Sequence, residues 1–405
     1  LKSAKPKLLI LTSTLPRWEG DTEPRFVFDL AKALSDRFEP VIFAPMAAGC
    51  RRSGVLEGVR VERFRYAPHS WQRMAAPGAI MPNLRANPWL FALIPAFLFA
   101  QILALVSLLR RERFDAVHCH WLVPQGLAVA VARFFVPVPP TLLTCHGADA
   151  FTLNSGPMPA IKRWILDRVD GVTVVSREIG KQIHRGLASE PDHIPMGVDL
   201  KRFGKNSARR TSGAPTILFA GRLAEKKGLD RLLRCMADPR LKSRGARLRI
   251  IGEGPLRSRL EELAGRLDIR DSVEFAGARP HDQLAREMAR ASLFCAPFIV
   301  GRDGDREGTP TVLLEAASAG IPIVTTDVGG CADIVSDGLS GWLVAPGDEA
   351  ALANAIVEAL GDPVRAKTMA ANARRRAEDH SWARISDRYA EALFKVQASA
   401  GVACG

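Results

Sequence analysis

The sequence predicts an α/β protein made of two doubly wound parallel sheets in series, facing one another across a cleft. Three observations predict it. Short apolar runs alternate with stretches of helical periodicity along nearly the whole chain. The alternation pauses once, in a segment rich in Arg, Ser and Gly between positions 201 and 215. At 405 residues the chain is also long enough to bury two cores. The expected boundaries are a first domain at 1–196, a linker at 197–212, a second domain at 213–378 and a closing segment at 379–405. That last segment carries an amphipathic helix from Trp382 that crosses back towards the first domain.

The first domain opens with Lys7-Leu-Leu-Ile-Leu-Thr12, a buried parallel strand by its continuous apolar run. A loop through Trp18-Glu-Gly20-Asp21 leads to a helix from Arg25 to Leu34, and strands follow at 40–45 and 59–64. No G-x-G-x-x-G follows the first strand, so an NAD-type fingerprint is absent. Gly20 reads either as a plain turn or as a point of approach for a phosphate. From Trp89 to Leu109 the chain carries no charge, and Arg110, Arg111 and Arg113 come directly after. Length alone would make this a membrane span. The strands on either side must share one sheet, however, which favours a helix lying on the domain and dipping into a membrane interface, with the arginines on anionic lipid.

Strands at Phe114–Trp121 and Thr141–Cys145 come next, the second ending in His146-Gly147-Ala148-Asp149. Ligands of open α/β sheets sit beyond the carboxyl ends of strands, which puts His146 where a site would be. His118 and His120 have no third ligand at metal spacing. Gly171–Ser176 reads as the last strand of the first sheet. The second sheet begins at Pro215–Gly221 and passes through Arg222 to Lys227 and Gly228. It continues with strands near 247–251, 273–277, 291–297, 321–326 and 341–346.

The stretch Glu307-Gly-Thr-Pro-Thr-Val-Leu-Leu-Glu315 carries the chemistry. Thr309 reads as the N-cap of a helix, Pro310 as its first residue and Gly320 as its stop. Such a helix offers amide groups and a positive dipole end, with a glycine that admits a ligand closely and a carboxylate on each side of the mouth. That set would hold a sugar nucleotide: diphosphate on the amides, sugar hydroxyls on Glu307, ribose hydroxyls on Glu315. Arg222 and Lys227 fall at the carboxyl edge of the same sheet, where two cations would neutralise a departing diphosphate.

Seven cysteines show neither C-x-x-C nor metal-site spacing, and the odd count with no leader pattern points to a reducing cytoplasm. The net charge of +13 suits an anionic membrane face, nucleic acid or a polyanion. The basic residues are spread along the chain rather than gathered with aromatics, which argues against nucleic acid as a partner.

These residues resemble retaining glycosyltransferase family 4, whose two Rossmann-like domains form the fold called GT-B. The matching motifs are His146-Gly147-x-Asp149, Met196-Gly197-Val198-Asp199, Gly221-Arg222-Leu223-x-x-x-Lys227-Gly228, Gly252-x-Gly254-Pro255-Leu256, Glu307 to Glu315, and Gly329-Gly330. The resemblance implies a nucleotide-sugar donor, UDP- or GDP-linked, and a lipid-linked or saccharide acceptor on the first domain. It implies Arg222 and Lys227 on the diphosphate, and Glu307 with Gly308, Thr309 and Pro310 on sugar and phosphate. Glu315 falls to the ribose, and the backbone at Ala278 and Arg279 to the base. His146 falls to the transferred sugar and Asp149 to the acceptor side. Gly20 is carried over only weakly, because family members have a Gly-Gly pair there. No cofactor and no metal is implied, although Asp303-Gly-Asp305 has the D-x-D spacing of metal-dependent transferases. Asp305-Arg-Glu-Gly-Thr-Pro resembles members that build exported polysaccharides, which implies an enzyme peripheral to the inner face of the cell membrane. A sugar-nucleotide epimerase of the same fold is the alternative, and a basic nucleic-acid-binding protein a remote one.

Overall fold

The computed structural model describes residues 4–402 except 77, 185, 186, 188, 189 and 205–212. The chain divides into two compact units, Leu1–Met196 together with Trp382–Gly405, and Gly197–Ser381.

The first unit holds an eight-stranded sheet: β1 (Lys7–Leu11), β2 (Glu39–Pro45), β3 (Ser53–Leu56), β4 (Val59–Phe64), β5 (Ala116–His120), β6 (Thr141–Cys145), β7 (Gly171–Val174) and β8 (Asp192–His193). Their order is β3-β4-β2-β1-β5-β6-β7-β8, parallel apart from β3, which runs antiparallel to β4. Leu8 to Leu11 are fully buried, as a central parallel strand with both faces covered requires. The sheet does not close at 171–176 as expected, because β8 adds a further edge. Its two residues are polar and carry no apolar run to announce them.

The helix Trp382–Val402 belongs to this unit. Ile385, Tyr389, Leu393 and Val396 recur on one face and are buried in the first core. Each such side chain contributes about 1.5–3 kcal/mol of burial. The fit is close: a Cβ added at Gly171 would lie 2.5 Å from Val396 Cγ1. Phe394 stacks on Phe38 at 5.0 Å, and Arg37 pairs with Asp387 at 2.8 Å.

The second unit holds a fully parallel six-stranded sheet: β9 (Thr216–Ala220), β10 (Arg247–Ile251), β11 (Val273–Gly277), β12 (Leu293–Ala296), β13 (Ile323–Thr326) and β14 (Trp342–Val344), in the order β11-β10-β9-β12-β13-β14. The order reverses between β9 and β12, which pair at Leu293↔Ile217 and Phe294↔Leu218. A crevice must open beyond the carboxyl ends of the strands there. The expected linker is only partly a linker. Val198 bridges Ser381, and the short helix Leu200–Gly204 buries Phe203 in the second unit's core. Positions 205–212 lie outside the described residues.

Candidate active site

In the second unit three loops converge at the β9/β12 reversal. The β9 loop turns at Gly228, where φ is +61° and a Cβ would stand 1.9 Å from the carbonyl oxygen of Pro297 in the β12 loop. Only glycine lets these two backbones touch. Beside it, the Ile299 amide donates to Lys226 O at 2.9 Å. On the other side, at Gly329 with φ +62°, a Cβ would stand only 1.9 Å from Glu307 O, so there is no room for one. The two glycines therefore clamp the β12 loop, and with it Glu307, from both flanks.

Glu307 is 8 % exposed and held by two cations. Lys227 Nζ reaches its Oε2 at 3.1 Å, and Lys226 Nζ reaches its Oε1 at 3.4 Å. Burial alone would push this carboxyl's pKa up. Lys227 and Lys226 outweigh that and hold it at about 2, so Glu307 is ionised. Lys226 also pairs with Asp305 at 3.2 Å. Burial works to lower the pKa of Lys226, but Glu307 and Asp305 raise it overall. Lys227 Nζ lies 4.8 Å over the Phe298 ring and 3.7 Å from where a Cβ on Gly221 would be, next to half-buried Arg222. Lys226 is the residue that sequence reasoning misses. Motif spacing singles out its neighbour in the K-K pair, while its own contact with Asp305 spans 79 positions and only the fold shows it. Asp305 serves that ion pair, and Asp303 Oδ1 accepts from the Asp305 amide at 3.2 Å.

Beyond Glu307 the chain passes buried Gly308, half-buried Thr309 and buried Pro310 into the helix Thr311–Ala319. The expected cap is one residue out of place. Pro310, with ψ at 87°, occupies the cap position, and no side chain caps the helix. The helix mouth is therefore made of backbone amides alone. Gly320 ends the helix in the left-handed region, φ +69°. The helix shows no solvated polar stripe: Leu313 to Ala319 are all buried, Glu315 and Ser318 included. Glu315, 8 % exposed, lies one turn inside the helix with His281 Nε2 3.6 Å from its Oε1. His281 opens the helix His281–Arg290 immediately after the Ala278-Arg279-Pro280 loop, in which Arg279 is exposed.

The first unit collects a different set. His118 and His120 alternate onto one face of β5, and His146 follows β6. His120 Nδ1 and His146 Nε2 are hydrogen-bonded at 2.8 Å, and His118 Nε2 meets Thr144 Oγ1 at 2.8 Å. Phe26 (5.3 Å) and Trp121 (4.6 Å) pack on the His146 ring. Burial lowers the pKa of both His118 and His146 to about 3. His120 is pushed well below the ordinary value by burial and by its two neighbours. The three imidazoles are neutral at any physiological pH.

Asp149 is engaged by backbone: its Oδ1 accepts from the amides of His146 (3.0 Å) and Gly147 (2.9 Å), and its Oδ2 from Leu122 (3.1 Å). The carboxylate is 5 % exposed and fixes the loop that carries His146. Gly20 is likewise accounted for by a turn. It has φ +79° where the Asp21 amide closes on Trp18 O at 3.3 Å, and Arg17 pairs with Asp21 at 2.7 Å. The second unit thus brings Lys227, Glu307 and the helix mouth together, with Arg222 in the adjoining loop. His146, Asp149 and Gly20 belong to the first unit.

Comparison with known proteins agrees with this fold. The family model described as Glycosyltransferase Family 4 matches residues 24–202, and the one described as Glycosyl transferases group 1 matches 201–376. A Mycobacterium tuberculosis glycogen synthase is 30% identical over 349 residues, covering 83% of this chain and 80% of that protein. A Salmonella typhimurium protein, by name a colanic acid biosynthesis glycosyltransferase, WcaL, is 34% identical over 177 residues. That match covers 43% of this chain, which spans only 44% of that protein's length. Among solved structures, Anabaena HepE in complex with UDP and glucose superimposes with a TM-score of 0.71 at 18% identity, covering 96% of this chain and 100% of HepE, which shows a shared GT-B fold. The chain belongs to glycosyltransferase family 4, the glycosyl transferases group 1.

Proposed function

We propose that this chain is a retaining glycosyltransferase that moves a sugar from a nucleotide-diphosphate donor to a saccharide or lipid-linked acceptor in cell-surface polysaccharide or glycolipid synthesis. The observation that carries this reading is the ionised Glu307 carboxylate held by Lys227 and Lys226 where the chain enters the helix Thr311–Ala319. A nucleoside diphosphate gains negative charge as the glycosyl bond breaks. Lys227, Arg222 and the helix-mouth amides are the groups to meet that charge. An arriving diphosphate competes with Glu307 for Lys227. The carboxylate that loses this partner is then available to the hydroxyls of the transferred sugar, while Lys226 and Asp305 keep the loop in place. Glu315 takes the ribose and the Ala278–Arg279 backbone the base. His146, uncharged, contacts the transferred sugar.

On this reading Glu307 acts by position and charge rather than as a nucleophile, and no metal is needed because lysine, arginine and helix amides neutralise the leaving group. The HepE complex with UDP and the colanic acid name of the Salmonella relative support a nucleotide donor and an exported polysaccharide as product. The test is a product assay with UDP- and GDP-linked sugars and saccharide or lipid-linked acceptors, with and without EDTA. Acceptor-dependent transfer with the donor's anomeric configuration kept, indifferent to EDTA, is expected. Conversion of one sugar nucleotide into another without acceptor would replace the reading with an epimerase.

A further inference from the structure

We propose that the first unit carries a docking face for a bilayer with anionic headgroups, built on the outer side of the helix Ile94–Arg111 and the turn that leads into it. Pro88–Arg111 is long and apolar enough to cross a membrane, yet it does not behave as a span. Leu90, Phe97, Gln101, Leu105 and Leu108 lie in the protein interior, which commits one side of the helix to the first core. The opposite stripe, Ala92, Ala96, Phe99, Leu103, Ser107 and Arg110, recurs every three or four residues and is exposed along its whole length. Phe99 is 65 % exposed, a large apolar side chain for which water is the wrong neighbour.

Neighbouring elements widen this stripe. Trp89 stands edge-on to Trp71 at 5.8 Å, and both are exposed. At the other end Arg110 Nη2 donates to Phe135 O at 3.3 Å, which ties the helix to a turn bearing exposed Phe134 and Phe135. Phe134 stacks on Trp164, and Arg168 lies 4.3 Å over that indole. At this end Arg110, Arg111 and Arg113 are exposed, the Glu112 between them is taken up by Lys7 and Arg60, and no acidic residue occurs from Pro88 to Arg111. Apolar and indole side chains with a basic rim suit acyl chains and anionic phosphates together, and tryptophan is at home at that boundary. An acidic peptide would match the arginines but leave Phe99 and Leu103 without a partner.

The test is flotation of the full chain with vesicles of phosphatidylcholine alone and of phosphatidylcholine mixed with phosphatidylglycerol, with no sugar nucleotide present. Its outcome is thereby independent of the proposed transferase activity. The protein should float with the mixed vesicles and much less with the neutral ones. Replacing Arg110, Arg111 and Arg113 together by Gln should weaken binding on the order of a hundredfold, at about fivefold per cation. The pair Phe99→Glu and Leu103→Glu should abolish it, with circular dichroism and melting temperature confirming the fold. Absence of flotation with either vesicle would overturn the proposal. So would undiminished binding by Phe99→Glu/Leu103→Glu. A change from dimer to monomer in that variant, without vesicle binding by the parent, would assign the face to a second copy of the chain.

Discussion

The two units share one architecture and treat charge in opposite ways. At the carboxyl edge of its sheet the second unit keeps an ionised carboxylate between two ammonium groups, with a further acidic partner in Asp305. The first unit, at the corresponding edge, keeps three imidazoles neutral by burying them, and turns the Asp149 carboxylate inward onto backbone amides. An open parallel sheet specifies where a site falls but not its polarity. The loops decide that: glycines that allow backbone contact gather charges in one unit, and aromatic packing excludes them in the other.

The largest test of this contrast is Glu307→Gln. It removes the charge but keeps the shape, and transfer should fall by roughly 10²–10³-fold, as for loss of one preorganised electrostatic group. The second unit should lose about 2 kcal/mol, since two buried-edge ammonium groups lose their partner. Initial rates and denaturant melts read both. Equal rates in the variant would refute the assigned role.

Acidification should separate the units next. Unfolded histidine takes up protons near pH 6.5, whereas native His118 and His146 resist until about 3. The unfolded state binds more protons across that window, so stability falls as pH drops below 6.5. At pH 5 the loss is about 4 kcal/mol for the pair, because each histidine costs about 1.36 kcal/mol for every pH step below 6.5. Glu307 runs the other way in origin but not in sign. Its pKa is depressed from 4.5 to about 2, so its contribution is intact above 4.5 and is lost as pH falls through 2. Hydrogen exchange corrected for intrinsic rates should therefore show β5 and β6 loosening by pH 5, with β9 and β12 unchanged. The distinction ends below pH 4.5. There the contribution of Glu307 begins to be lost, and with it that of Glu57 of the first unit, held at about 2 by its hydrogen bond to Arg25.

His120→Ala is expected to have a smaller effect. It removes the bond to His146 Nε2, and kcat should fall about tenfold, worth roughly 1.4 kcal/mol, while donor affinity measured by calorimetry stays unchanged. Asp305→Asn comes last. It weakens one of Lys226's two ion pairs, and transfer should drop less than about fivefold, on the order of 1 kcal/mol. A large loss rescued by divalent metal would turn Asp303-Gly-Asp305 into a metal site.

Much of the fold is legible in the sequence because central parallel strands must be apolar on both faces. Leu8–Leu11 and Thr141–Cys145 announce themselves in that way. The polar two-residue β8 does not. The position of the helix start near 310 is readable from Thr-Pro, but proline's fixed φ serves the cap position as well as the first turn, which displaces the start by one residue. The role of Asp149 is hidden because nothing in a sequence shows which backbone amides need an acceptor. Lys226 is hidden because a side chain's partner across the sheet is set by loop closure. In Trp89–Leu109 nearly every position is apolar or small, so no periodicity distinguishes the buried face from the exposed one.

Calorimetric titration of the full chain with UDP and with GDP tests the central claim most directly. If Lys227 and the amides of the helix at 311 grip the diphosphate, at least one nucleotide binds the parent protein. Lys227→Ala then weakens it by about tenfold or more, the scale of a charge-assisted hydrogen bond, and His146→Ala leaves it unchanged. Binding that survives Lys227→Ala intact, or that disappears in His146→Ala, would contradict it.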